Sequence, residues 1–127
     1  MTAIGLLRCP ENEFKCPLTN CFRSLLSRQQ AFAGYEHTDL AGVFTMHRNR
    51  DTTLDLARIL QSKGAEVIHV VTCAFAHKDQ GKTWHLGNGF VSNVDDLCAA
   101  ISTASGLPCI KGSAHLPRNY SPEVFAP

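Results

Sequence analysis

Apolar positions along this chain alternate between two kinds of run. Continuous apolar stretches of about five residues are followed by segments whose apolar residues recur at helical spacing. Ala3-Ile4-Gly5-Leu6-Leu7 is the first continuous run, and an unbroken apolar run of that length suits a strand buried on both faces. Leu18, Cys21, Phe22, Leu25, Leu26 and Phe32 then recur at helical spacing from Pro17 until Gly34, which predicts an amphipathic helix opened by Pro17 in its first turn. Leu40-Ala41-Gly42-Val43-Phe44 reads as a second strand. Thr52 with Asp55 makes a capping-box pattern ahead of Leu56, Ala57, Ile59 and Leu60, closed by Gly64.

Val67-Ile68-His69-Val70-Val71 is the most β-branched run and ends at Thr72-Cys73, marking a central strand. Residues 74–91 form a long connection, of a length that in compact domains is usually functional or mobile. Ser92 with Asp95 repeats the capping-box pattern before Val94, Leu97, Cys98 and Ile101; Gly106 stops that helix, and 108–114 reads as a fourth strand. The stretch 116–127, with Pro117, Pro122 and Pro127, reads as an irregular tail. A faint internal echo, Lys63-Gly64-Ala65-Glu66-Val67-Ile68-His69 against Ser105-Gly106-Leu107-Pro108-Cys109-Ile110-Lys111, repeats one helix stop leading into a strand. Together these features predict one α/β domain over 1–127. Its parallel sheet of four or five strands would be doubly wound, in the flavodoxin-like or Rossmann-like manner, with order 2-1-3-4 and helices on both faces.

Composition narrows the partners. The 127 residues carry a net charge of +1 with 44% hydrophobic and 18% charged residues, which leaves no electrostatic footprint for nucleic acid. No stretch is long enough to span a bilayer. Residues 1–7 lack a basic n-region and run straight into Arg8, a poor secretory leader, so a reducing cytoplasm is the expected setting. There six Cys are thiols, catalytic groups or metal ligands sooner than a disulfide framework.

The chemistry gathers by topology. Cys9, Cys73 and His115 fall at the carboxyl ends of predicted strands, and Cys16 and His77 in the adjoining loops. In open α/β sheets those ends border the ligand crevice. Cys16, placed before a helix start, gains from the positive end of the macrodipole. Cys21 lies one helical turn on, on an apolar face. Cys73 and His77 form a C-x-x-x-H pair able to close on one metal, and His85 sits beside Gly87-Asn88-Gly89, where a flexible segment can fold over the crevice. Cys98, Cys109 and His69 read as core and His37 as surface. GxGxxG, P-loop, G-x-S-x-G and HExxH patterns are all missing. The nucleophile loop of low-molecular-weight tyrosine phosphatases fails as well, because Pro10-Glu11-Asn12-Glu13-Phe14-Lys15 makes a poor anion cradle.

These residues resemble the CGGC-domain family of small α/β proteins, described as metal-binding. The likeness rests on Ile4-Gly5-Leu6-Leu7-Arg8-Cys9, Cys16-Pro17 with Cys21-Phe22, Gly42-Val43-Phe44-Thr45, Gly64-Ala65-Glu66-Val67-Ile68-His69 with Thr72-Cys73, and Gly106-Leu107-Pro108 leading to Gly112-Ser113-Ala114-His115. Met46-His47-Arg48-Asn49 stands where the family's Cys-Gly-Gly-Cys is expected, and the family's later Cys-Pro pair is also missing. The resemblance implies a transition-metal site. With His47 and His85 as replacement imidazoles it implies zinc over an iron–sulfur cluster.

Three readings follow. The first is zinc bound by Cys9, Cys16, Cys73 and one or more of Cys21, His77, His85 and His115. The second is a thiol enzyme, redox or phosphatase-like, using Cys9 or Cys16, activated by the helix dipole with Arg8 or His77. The third is a non-catalytic module for a small molecule or partner, whose long loop and tail form a lid or a homo-oligomer contact.

Overall fold

The computed structural model describes residues 2–127; Met1, the first residue of the opening apolar run, lies outside the described residues. Strands β1 (Thr2–Arg8), β2 (Thr38–Thr45), β3 (Val67–Val70), β6 (Cys109–Lys111) and β7 (Glu123–Phe125) form a five-stranded sheet in the order β2-β1-β3-β6-β7. The first three pairings are parallel and β6–β7 is antiparallel. Two short strands, β4 (Ala76–Lys78) and β5 (Trp84–Leu86), form a separate antiparallel hairpin. The helices are α1 (Thr19–Ser27), α2 (Arg50–Ser62) and α3 (Val94–Ser105).

The sheet is mostly parallel because its central strands are apolar on both faces. Ile4 to Leu7 and Val67 to Val70 are all buried. Leu25 of α1 packs with Ile4, Phe32, Val67 and Ile110. Leu60 of α2 lies against β1 and β2 so closely that a Cβ at Gly5 or Gly42 would meet it at 3.1 Å. Helices α2 and α3 pack on each other, and α3 in turn covers β6.

Helix boundaries differ from the sequence expectation where a competing cap wins. Helix α1 starts at Thr19, not in the turn of Pro17, because Leu18 takes a left-handed φ of 64°. It ends at Ser27, with Phe32 in a separate 3-10 turn and Leu26 70% exposed. The Thr52 capping box is replaced by Asn49, whose side chain accepts from the Asp51 and Thr52 amides. The Ser92 box is replaced by Asn93, in a left-handed conformation.

Three further expectations are corrected. Residues 74–91 contain the β4–β5 hairpin. The fourth strand is limited to Cys109–Lys111. The tail 116–127 is not wholly irregular, since Glu123–Phe125 adds the edge strand β7. Lys111 anchors that edge: its ammonium pairs with Asp95 at 2.8 Å and Glu123 at 3.6 Å and lies over the Phe75 ring at 4.9 Å.

Candidate functional site

The carboxyl ends of β1, β3 and β6 open into a cavity of about 510 Å³. Its wall includes Cys9, Cys16, Cys21, Cys73, His77 and His115, so six of the seven proposed ligands share one chamber.

Cys9 follows the last residue of β1 and caps the 3-10 turn Pro10–Asn12. The Val71 amide donates to the Leu7 carbonyl at 3.2 Å, carrying the β1–β3 pairing to the strand ends and setting Cys9 beside Cys73. Arg8 folds the loop after Cys9: its Nη2 donates to the carbonyls of Asn12 and Cys16 at 3.0 and 2.5 Å and to that of Glu13 at 3.3 Å. That clasp returns Cys16 to the cavity, where its sulfur accepts from the Leu18 amide at 3.4 Å. Helix α1 begins only at Thr19 with Leu18 as its N-cap, so Cys16 stands two residues ahead of the cap and meets the helix through the Leu18 amide alone.

The other wall is built from the ends of β3 and β6. Thr72 and Ser113 exchange hydrogen bonds, each backbone amide donating to the other's hydroxyl at 3.1 and 3.0 Å. The Cys21 thiol reaches the Ser113 hydroxyl at 3.3 Å, and burial pushes this thiol up. His115 adopts a left-handed φ of 54°, accepts from the Asn20 side-chain amide at 2.9 Å and stacks on Trp84 with ring centroids 5.2 Å apart. Burial, with Lys78 nearby, holds its imidazole below the usual value.

His77 donates from Nδ1 to the Gly87 carbonyl at 2.8 Å, leaving Nε2 as its lone-pair nitrogen. Residues 88–90 close the rim. Gly89 lies so near the strand-end turn that a Cβ there would sit 2.5 Å from the Ala74 backbone, and the Phe90 and Val91 amides donate to the Cys73 and Ala74 carbonyls.

Cys9 and Cys73 are neighbours at the strand ends with opposite tendencies. Cys9 is 1% exposed. Its thiol donates to Glu11 Oε2 at 2.9 Å. The neighbouring Cys73 sulfur, together with burial, pushes the Cys9 thiol far up. Cys9 beside it, with the Asn12 side chain and the charge of Arg8, brings Cys73 down to about 7. The proton of the pair is therefore favoured on Cys9, and Cys73 is the more acidic thiol. Glu11, held low by the Cys9 bond and next to Arg48, was not among the residues expected in the site. Its position two residues after a strand-end Cys is the only sequence signal for it.

The remaining imidazoles stand elsewhere. His85 stacks on His77 across the hairpin at 5.5 Å but gives Nε2 to Asp79 at 2.6 Å and lines a different depression, with Pro117 and Arg118. His47 accepts the Asn49 amide on Nδ1 at 3.0 Å and lines a third depression beside Met46 and Arg50. Neither lines the cavity that holds the thiols. Among the described residues, no three His, Cys, Asp or Glu side chains are gathered closely enough to hold an ion.

An α/β protein with a mostly parallel sheet and a thiol-lined chamber at its strand ends is the class these features define. The CGGC domain model matches residues 3–114, and the chain belongs to that family. No curated protein and no solved structure matches it. Among the described residues no helix is long and apolar enough to cross a membrane.

Proposed function

We propose that this chain performs thiol chemistry on a small ligand held in the strand-end cavity, with Cys73 as the nucleophile and Cys9 as the thiol that keeps it ionised. The observation that carries this reading is the placement of Cys9 and Cys73 on one cavity wall with Arg8 and Asn12, the Cys9 thiol turned to Glu11 at 2.9 Å and so left protonated while Cys73 is free to ionise. A thiolate is the reactive form of cysteine. A cavity of about 510 Å³ also has the size of a small-molecule site and not of a bare ion. In this reading neither Cys9 nor Cys16 is the nucleophile expected of them: Cys9 positions a proton and Cys16 lines the wall.

The test is timed alkylation of the native chain with limiting iodoacetamide at pH 7, each thiol followed by peptide mass. The Cys73 sulfur forms a bond to the methylene carbon as the carbon–iodine bond breaks and iodide leaves. Cys73 is expected to label at least tenfold faster than Cys16 or Cys21, with a rate that rises through an inflection near pH 7. Labelling at equal rates would overturn the reading.

A second reading, zinc held by Cys9 and Cys73 with further donors from Cys16, Cys21, His77 and His115, is favoured by one observation: four thiols and two imidazoles line the same cavity. It requires those side chains to regroup into four-coordinate geometry. Metal analysis of the purified chain separates the two. About one equivalent of zinc, lost in Cys73→Ser, with alkylation released only by a chelator, would establish the zinc reading in place of the free thiolate.

A further inference from the structure

Charge across the whole chain is nearly balanced, with 12 Lys and Arg against 11 Asp and Glu, yet the cavity wall is not. Arg8, Lys15 and Lys78 line it, and no Asp or Glu does. The nearby carboxylates are engaged elsewhere: Glu11 with Arg48 and Cys9, Asp79 with His85, Asp95 and Glu123 with Lys111. Among the described residues Arg8, Lys15 and Lys78 enter no ion pair. Arg8 donates only to main-chain carbonyls, and its Nε is buried without a hydrogen-bond partner. Apart from the Cys73 sulfur, no anionic group faces this partly buried guanidinium; leaving it without a carboxylate partner is costly, and an arriving carboxylate offsets that cost.

The same chamber has flat apolar surfaces. Trp84 is stacked on His115, and Phe90, more than half exposed, stands on the rim. Apolar walls lower the local dielectric and focus the field of the three cations into the chamber.

We propose that the cavity takes a small organic monoanion with a flat apolar body, its carboxylate met by Arg8, Lys15 and Lys78 and its body laid against Trp84 and Phe90. This deepens the thiol reading, on which it rests, by naming the class of molecule presented to Cys73. A flat body distinguishes the ligand from free phosphate, which the cations would meet equally but which offers the aromatic rings nothing to cover.

Trp84 is the only tryptophan and lines this cavity, so the tryptophan emission of the full chain reports on it. Titration with benzoate is expected to change that emission saturably, at concentrations at least tenfold below those needed for benzamide, its neutral isostere. The Lys15→Gln/Lys78→Gln double variant is expected to raise the benzoate half-point severalfold. Both lysines are solvent-exposed, so the variant should fold as the parent does. Equal response to benzoate and benzamide would overturn the need for charge. Inorganic phosphate displacing benzoate at comparable concentration would overturn the need for the flat body.

The two readings fail separately. Saturable benzoate binding in Cys73→Ser, with no fast-labelling cysteine in the parent, would leave the anion site standing without thiol chemistry. A fast Cys73 with no benzoate response would do the reverse.

Discussion

Two groups of thiol and imidazole side chains occupy this small sheet, and their surroundings give them opposite chemistry. At the strand ends Cys9 and Cys73 stand beside Arg8 and Asn12, with Glu11 on the Cys9 thiol. In the interior Cys98 of α3 and Cys109 of β6 lie in one core cluster, both 0% exposed. The neighbouring Cys98 and burial push the Cys109 thiol far up. His69, in the middle of β3, is equally buried. Residue type alone therefore says little here. A thiol becomes reactive where the strands end, because there the backbone turns away, loops supply polar partners, and a charge can be stabilised.

The largest effect that would sharpen this contrast lies in the interior. His69 Nδ1 donates to the Gly112 carbonyl at 2.8 Å, and the Tyr35 hydroxyl, 2.7 Å from Nε2, must then donate to the ring. A second ring proton on Nε2 would require the Tyr35 hydroxyl to turn from donor to acceptor. Burial holds the imidazole at about 4, against 6.5 for the ordinary side chain. The unfolded chain thus binds a proton before the folded one does. Stability is complete above pH 6.5 and is lost progressively as pH falls from 6.5 toward 4, by about 3 kcal/mol. Urea unfolding at pH 7 and pH 4.5 is expected to show this loss, and His69→Gln to flatten the profile. An equally steep profile in the variant would place the sensor elsewhere.

A smaller effect tests the strand-end pair. Cys9→Ala removes the strongest of the interactions that keep Cys73 ionised. The inflection in Cys73 alkylation should move up from about 7 toward that of an ordinary thiol, and labelling at pH 7 should fall about tenfold. An unmoved inflection would assign the lowering to Arg8 and Asn12 alone.

How much of this was legible beforehand follows the same division. The apolar runs at Ile4, Val67 and Ile110 announced buried parallel strands, and parallel strands bring their carboxyl ends together. Hence topology alone gathered Cys9, Cys16, Cys73, His77 and His115, whereas Cys21 read as a residue of an apolar helix face. The hairpin was not legible, because Ala76-His77-Lys78 and Trp84-His85-Leu86 are too short and polar to alternate visibly. Its pairing is what turns His85 onto Asp79. Edge strand β7 hid for a related reason: three residues between prolines, with Val124 64% exposed, carry no core pattern. Asn49 and Asn93 displaced the Thr52 and Ser92 capping boxes because an Asn side chain three residues earlier, or a left-handed residue one position later, can start the helix instead. The roles of Cys9 and Cys73 were out of reach, since they depend on where Glu11, Asn12 and Arg8 place single atoms.

The smallest effect asks whether the interior pair is merely packing. Cys98 and Cys109 join α3 to β6 inside the main core, alongside Ile101 and Ile68. Cys98→Ala removes one buried sulfur and leaves the Cys109 thiol without its neighbour. Losing a single heavy atom from a well-packed core is worth about 1 kcal/mol. The expected result is a fall of that size in urea stability at pH 7, with the Cys73 alkylation rate unchanged because neither Cys98 nor Cys109 lines the strand-end cavity. Val is bulkier than Cys, so Cys109→Val should cost a similar amount through overpacking. A change in Cys73 labelling in either variant would mean that the core sets the geometry of the strand ends, and the separation between the two groups would have to be redrawn as one connected network running along β3 and β6.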